Sequence, residues 1–117
     1  SRLARESLRE DEQLARGKYV AQGCTGCHGE HFSGGKIPGT PPAWPAAANL
    51  TSASDGAMAS YATADQFKSM LRTGKRPDGS TVSDVMPFKS LAYMSDSELD
   101  ALFAFLKSLD ARPFGQR

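Results

Sequence analysis

The residue types best suited to metal or thiol chemistry are concentrated in one short segment. Both cysteines and both histidines lie between Gly23 and His31, in the run GCTGCHGEH. Cys24 and Cys27 are three positions apart and His28 follows directly. On a helical turn, residues with this spacing share one face. Two thiols and an imidazole can therefore act on a single ligand from the same side.

Cys-x-x-Cys-His is the attachment pattern of c-type haem. With this spacing each thiol can add to one vinyl group of the porphyrin, and the imidazole of the next residue can bind the iron. Thr25 and Gly26 are small enough to let the macrocycle lie close. The pattern therefore predicts one covalent haem c, bound through Cys24, Cys27 and His28, with iron as the metal.

Two other kinds of site use the same side chains. A Cys-x-x-Cys redox pair belongs in a βαβ setting, and no such pattern surrounds Cys24 and Cys27. A zinc site would take His31 as its fourth ligand, but zinc sites usually bring ligand pairs from separated segments. Haem is the favoured interpretation of the motif.

Length and charge narrow the classes of protein to which the chain can belong. Its 117 residues fit one domain, and we separate residues 1–10 from it as a polar N-terminal extension. The 14 lysines and arginines nearly cancel the 13 acidic residues, so no nucleic-acid partner is expected. No apolar run approaches the ~20 residues of a membrane helix. The N-terminus is too polar for a signal peptide, so an exported protein would have lost its signal before this numbering begins.

Three segments have the capping residues and apolar spacing of helices. They are LREDEQLARGKYVAQ, ADQFKSMLRT and DSELDALFAFLKSL, at residues 8–22, 64–73 and 96–109. The predicted capping boxes pair Ser7 with Glu10, Thr63 with Gln66, and Ser95 with Glu98. Gly23 and Gly74 follow the first two helices as stop signals. No alternating run predicts a strand, so the fold class is all-α, with three main helices.

A long segment between the first two helices has no regular pattern. Residues 29–62 are rich in Gly, Pro, Ala and Ser, and a structureless loop longer than about 15 residues is uncommon in a compact domain. Three short helices also supply little apolar area, and a domain with a small core needs an additional source of stability. We therefore expect a large apolar cofactor to fill the middle of the fold, with the loop wrapped around it.

The chain resembles the class I c-type cytochromes over about residues 13 to 110. The motifs that carry the resemblance are Gly17-Lys18, Cys24 to His28, Met86-Pro87 and Ala104-Phe105-Leu106. The stretches ANLTSASDG, LRTGKRPDGS and MPFKSLAYMSDSELDALFAFL are similar to a bacterial branch of that family. The resemblance implies a class I cytochrome c fold at residues 11–117, long loops around one covalent haem, and electron transfer in a periplasmic or extracytoplasmic compartment.

The family ligand opposite the histidine corresponds to Met86. Pro87 stiffens the loop here because it has no N–H and a fixed φ. The other methionines are better explained by packing or have no evident role: Met70 on an apolar helix face, Met94 before the last helix, and Met58. His31 is too close to His28 to reach the opposite face of the haem. The predicted iron ligands are therefore His28 and Met86.

The resemblance also implies a set of supporting residues. A proline carbonyl after the motif should accept from the ring N–H of His28, and Pro38 is the candidate, with Pro41 and Pro42 as alternatives. Trp44 and Asn49 are the candidates to donate to the haem propionates, with ordinary loop packing as the alternative for Trp44. Tyr61 and Tyr93 are better assigned to the core than to the Met86 sulfur. Gly17 should let the first and last helices cross closely, with Gly17, Tyr19 and Val20 meeting Leu102, Phe105 and Leu106.

Two filled axial positions leave one-electron exchange as the predicted function, so the chain is an electron carrier and not itself an enzyme. Its expected partners are redox proteins, namely a donor dehydrogenase and an acceptor oxidase or reductase, and a free-standing form should be a monomer. Alternatives are a subunit or excised domain of a larger oxidoreductase, a ligand-binding or peroxidatic haem protein with a labile Met86, and a structural haem domain. The candidates to steer an acidic partner, with an ordinary solvated face as the alternative, are the basic residues Lys68, Arg72, Lys75, Arg76 and Lys89.

Overall fold

The computed structural model describes residues 2–83 and 85–116, without the side chains of residues 2–8 and Lys89. The described residues form five α-helices, with 3-10 turns at Gln22–Cys24 and Ala57–Ser60. The helices are α1 (Arg2–Ala21), α2 (Thr25–His28), α3 (Ala64–Thr73), α4 (Phe88–Leu91) and α5 (Asp96–Ser108). Extended pairing within the described ranges is limited to two isolated antiparallel residue pairs. None of the described helices is long and apolar enough to span a bilayer.

Helix α1 begins earlier than the sequence indicates. It runs from Arg2 to Ala21, so Ser7 lies inside the helix and the predicted Ser7–Glu10 box is wrong as a helix start. The residues before Leu8 are mostly Leu, Arg, Ala and Glu, which favour helix and contain no glycine or proline to stop it. The boundary proposed at residue 10 therefore falls within a continuous helix, and the division itself stays a prediction.

Helices α3 and α5 begin where their capping boxes place them. Thr63 Oγ1 accepts from Gln66 N–H at 3.3 Å, and Gln66 Oε1 accepts from Thr63 N–H at 3.3 Å. Ser95 and Glu98 make the same reciprocal pair at the start of α5. Gly74 ends α3 with φ +75°, a left-handed conformation that glycine adopts without cost. Both capping boxes and the all-α prediction are confirmed.

The core is shared between the helices and the long loop. Helices α3 and α5 contribute Phe67, Met70, Leu71, Leu99, Leu102 and Leu106, and the loop adds Phe32, Leu50, Met58 and Tyr61. The loop has no helix before the 3-10 turn at Ala57–Ser60, as predicted. Its apolar side chains nevertheless provide buried area that three short helices alone would lack. Helix α4 was missed because four residues are too short to show a helical period.

Helices α1 and α5 cross at a glycine. A Cβ at Gly17 would lie 2.1 Å from the Ala101 carbonyl oxygen and 2.7 Å from Phe105 Cβ, so only hydrogen fits between the two helices. Val20 packs against the core as expected. Tyr19 is 81% exposed, so its predicted contact with α5 is wrong. The residue lies on the opposite side of α1 from the crossing.

Replacing Gly17 with alanine tests this crossing. The new methyl group would overlap backbone of α5, and overpacking of this kind costs about 1–3 kcal/mol of unfolding free energy. Lys18→Ala is the control, because Lys18 follows Gly17 in α1 and is exposed. Denaturant unfolding of both variants measures the difference. A Gly17→Ala protein as stable as Lys18→Ala would contradict the close approach.

Candidate functional site

The four residues predicted to hold the cofactor line one cavity. Its volume is about 190 Å³, and Cys24, Cys27, His28 and Met86 all contribute to its wall. Most of the remaining wall is apolar or small, with Gly23, Ile37, Pro45, Ala46, Ala47, Ala48, Val82, Val85, Pro87 and Leu91. The fold thus brings Met86 to the same space as a motif almost 60 residues earlier in the chain.

One turn of helix presents the two thiols. The 3-10 turn at Gln22–Cys24 continues directly into α2, and the Thr25 hydroxyl donates to the Gln22 carbonyl at 2.9 Å across this junction. Cys24 and Cys27 are therefore one turn apart on one side of the chain. Burial, and secondly the charge of Cys27, raises the pKa of the Cys24 thiol. A redox-active thiolate instead requires a lowered pKa.

The imidazole of His28 is fixed in one tautomer. It is 7% exposed, and Nδ1 lies 2.8 Å from the carbonyl oxygen of Ala48. A carbonyl oxygen can only accept, so Nδ1 carries the proton and donates. The lone pair of the neutral ring is then on Nε2, which is the form that ligates a metal. The tautomer follows from the fold before any cofactor is considered.

Two glycines after the motif allow the Ala48 carbonyl to lie beside the ring of His28. Gly34 N–H donates to the His28 carbonyl at 2.9 Å, and Gly35 and Ala47 exchange two backbone hydrogen bonds of 3.0 and 2.9 Å. Gly34 has φ +74°, and a Cβ there would lie 2.3 Å from the Ala47 oxygen and 2.5 Å from the Ala48 oxygen. The returning chain can therefore approach His28 only because position 34 has no side chain.

This arrangement corrects the prediction for Pro38. The acceptor for the His28 ring is Ala48, whereas Pro38, Pro41 and Pro42 are exposed. The chain reverses at Gly34 and Gly35. The residue that returns to the imidazole is therefore Ala48, ten positions beyond Pro38. Sequence reasoning missed Ala48 because an alanine carbonyl has no signature of its own. The pair Gly34-Gly35 was the available signal.

The residues expected at the haem propionates lie elsewhere. Among described residues, neither Trp44 nor Asn49 is part of the cavity wall. Asn49 is 3% exposed, and its Nδ2 donates to the Arg112 carbonyl at 2.8 Å. Its Oδ1 accepts from the Thr51 backbone N–H and hydroxyl. The Asn49 amide thus takes part in a buried hydrogen-bond network, and the propionate role expected of Trp44 stays a prediction.

Arg76 is a site residue that the sequence analysis counted only as part of a basic stretch. It lines the cavity, and its Nη1 donates to the Thr81 carbonyl at 2.7 Å and to the Ser80 hydroxyl at 3.1 Å. Its backbone N–H donates to the Ser80 carbonyl, closing the turn RPDGS. The Pro-Asp-Gly turn was the available signal, because it folds the chain back on Arg76.

The other candidate iron ligands are placed away from the cavity. Met58 and Met70 are buried in the core, and Met94 packs against it. His31 is exposed. No three His, Cys, Asp or Glu residues cluster as a metal site among the residues that the structure describes. The zinc interpretation therefore gains no support from the geometry.

Two further predictions concern the tyrosines and the basic residues. Tyr61 is buried against Phe67, with ring centroids 5.7 Å apart, whereas Tyr93 is 93% exposed and its assignment to the core is wrong. Lys68 Nζ lies 2.9 Å from Asp100 Oδ1, and Arg72 pairs with Asp96. Two of the proposed steering cations are thus paired between α3 and α5. The side chain of Lys89 lies outside the described residues.

A cavity that joins two thiols, an imidazole and a thioether defines the class of proteins that hold a porphyrin covalently. The cytochrome c family profile matches residues 14–110, and the chain belongs to the cytochrome c family. Its haem c is therefore covalently bound, with iron as the metal, and its function is electron transfer. The class I fold expected from the sequence is confirmed.

Several curated relatives are cytochrome subunits of bacterial dehydrogenases. The chain is 32% identical over 102 residues to "Alcohol dehydrogenase (quinone), cytochrome c subunit" of Gluconobacter oxydans (strain 621H), covering 82% of this chain and 21% of that protein. It is 32% identical over 101 residues to "Gluconate 2-dehydrogenase cytochrome c subunit" of Pantoea cypripedii, covering 81% and 23%. The chain spans about a fifth of the length of the curated relatives it matches.

The contact between Gly34 and the returning chain can be tested by adding one methyl group. Gly34→Ala should lower the unfolding free energy by about 1–3 kcal/mol more than Gly39→Ala, because the methyl group overlaps two carbonyl oxygens. Gly39 is the matched control: its φ is +75° and a Cβ there meets no atom within 4 Å. Both variants carry the same backbone strain, so equal losses in denaturant unfolding would show that position 34 tolerates a side chain.

Proposed function

We propose that His28 and Met86 are the two axial ligands of the haem iron, with Cys24 and Cys27 as its covalent attachment points. The observation that carries this proposal is the convergence of all four residues on one apolar cavity. The residues fit the group, since the thiols share a helical turn and His28 is held as the tautomer with its lone pair on Nε2. When bound, the haem supplies an iron that alternates between ferric and ferrous states.

The chain's own residues tune this exchange. A thioether opposite an imidazole raises the reduction potential relative to harder ligands, and an apolar wall reduces the access of water to the site. Two protein ligands leave no open position for oxygen or a substrate. This geometry favours an electron carrier over the ligand-binding or peroxidatic alternative, which would require Met86 to be displaced.

We further propose that the chain receives electrons from a bacterial dehydrogenase and passes them to an acceptor oxidase or reductase in the periplasm. The relatives that it resembles are named as cytochrome subunits of dehydrogenases, which supports this class of donor. Because the chain matches only part of their length, an electron-transfer subunit or one domain of a larger oxidoreductase remains the second candidate. A free-standing form would be a monomer.

Substitution of Met86 tests the axial ligation. Met86→Ala should remove the weak long-wavelength band of the ferric spectrum, which arises from sulfur bound to iron, and should let added cyanide or water reach the metal. The reduction potential should fall, because a thioether ligand favours ferrous iron. Met94→Leu is the control, since Met94, unlike Met86, is not part of the cavity wall, and the band should persist in it. The reverse result would assign the ligand to Met94.

Among the described residues of the cavity wall, Arg76 has the one charged side chain, and we propose that it compensates a haem propionate. Arg76→Gln should lower the reduction potential by about 20–70 mV, the effect of one unit charge at about 10 Å for effective dielectric constants of about 80 to 20. A nearby positive charge disfavours ferric iron, and its loss therefore stabilises that state. Lys75→Gln is the control, because exposed Lys75 does not line the cavity. Equal potentials for the two variants would contradict the proposal.

A further inference from the structure

The segment that follows α5 returns to the loop behind His28. We call residues 110–115 the C-terminal strap. Its Arg112 carbonyl accepts from Asn49 Nδ2 at 2.8 Å, and its Arg112 N–H donates to Thr51 Oγ1 at 3.2 Å. Gly115 N–H donates to the Ser33 carbonyl at 3.2 Å. The strap is thus bonded on both sides of the position where the chain returns to the imidazole.

The residues that the strap contacts are among the least exposed polar residues of the protein. Thr51 is 1% exposed, and its hydroxyl donates to Asn49 Oδ1 at 2.7 Å while accepting from Arg112. The Thr51 backbone N–H donates to the same Oδ1 at 3.0 Å. These bonds fix the orientation of the Asn49 amide. A buried network of this kind is costly to leave half-satisfied, so its members are held tightly in place.

The hydrogen-bond network of Asn49 and Thr51 is connected to His28 through the peptide group that joins Ala48 to Asn49. The carbonyl of Ala48 and the backbone nitrogen of Asn49 belong to one planar peptide group, so holding Asn49 in place restricts the directions open to the Ala48 oxygen. The Asn49 carbonyl is itself held by Ala57 N–H at 2.8 Å. The Ala48 oxygen then accepts from His28 Nδ1–H at 2.8 Å. A path of hydrogen bonds and covalent backbone bonds therefore runs from the C-terminal strap to the imidazole.

We propose that the C-terminal strap, acting through Asn49 and Thr51, is a positioning element that sets the hydrogen bond between His28 and the Ala48 carbonyl. Such outer partners orient a ligating imidazole and raise its basicity. A stronger bond makes the ring a better donor to iron and stabilises the ferric state. A weaker bond leaves the ferrous state relatively favoured. The inference rests on the proposed role of His28 as an iron ligand.

The experiment compares variants of the haem-loaded protein by NMR and redox titration. Thr51→Val removes the hydroxyl at nearly constant shape, so Arg112 N–H loses its acceptor and Asn49 loses one donor. The His28 Nδ1–H should exchange with solvent roughly tenfold faster, as expected when opening becomes easier by about one hydrogen bond, and the reduction potential should shift upward. Thr51→Ser keeps the hydroxyl and should restore both values.

Thr63→Val is the matched control for a general loss of stability. Thr63 caps α3 through reciprocal hydrogen bonds with Gln66, so this variant should unfold more easily while leaving the exchange of the His28 ring proton and the potential unchanged. A chain shortened to end at Leu109 lacks the strap and keeps Asn49 and Thr51. It should shift exchange and potential in the same directions as Thr51→Val, which covers the case in which that variant fails to fold.

Two results would overturn the proposal and are distinguishable from each other. If Thr51→Val and the shortened chain lose stability but keep the wild-type ring-proton exchange and potential, the strap is only structural. If His28→Ala retains the low-spin spectrum of the wild-type haem, His28 is not the ligand, and the proposed ligation fails together with the inference. A faster exchange with an upward potential, restored by Thr51→Ser, supports the strap as a positioning element.

Discussion

The hydrogen bond from the His28 ring to the Ala48 carbonyl connects the helical turn that carries the thiols with the loop that forms the opposite part of the cavity wall. Its 2.8 Å length joins residues 20 positions apart. It determines which ring nitrogen keeps a lone pair, because a carbonyl can only accept. It also requires the chain to return close to the motif, which is possible only with glycine at position 34. The loop conformation, the ligand tautomer and the C-terminal contacts all meet at this bond.

The long loop is a structural part of the protein and not merely a connection. Phe32, Leu50, Met58 and Tyr61 come from it and lie in the same core as α3 and α5. Loop residues near Ala47 line the cavity on the other side. The segment thus forms part of both the core and the cavity wall, which explains how so many glycines, prolines and alanines are accommodated in a small domain. The covalent haem of this family contributes the apolar area that the helices cannot.

Basic residues of α3 pair with another helix, whereas a basic residue just after α3 lines the cavity. Lys68 and Arg72 on α3 pair with Asp100 and Asp96 on α5, so these cations hold two helices together at a modest gain per pair. Arg76 instead lies on the cavity wall, held there by the turn that follows it. Neighbouring basic residues in the sequence therefore have different roles. Only the fold distinguishes a cation that pairs with another helix from one that lines the cavity.

The amino-acid sequence by itself determined the local features whose causes are local. The haem motif, the capping boxes of α3 and α5, the stop at Gly74 and the close crossing at Gly17 were all predictable, because each depends on residue type at a short spacing or on a family motif. Met86 was predicted from its motif, and the fold places it on the same cavity as His28. The tertiary structure decided which carbonyl orients His28, that Asn49 binds the C-terminal strap, and that Arg76 lines the cavity. Those contacts depend on where a glycine-rich loop returns through space, and backbone carbonyls leave no trace in the identity of the residues that carry them.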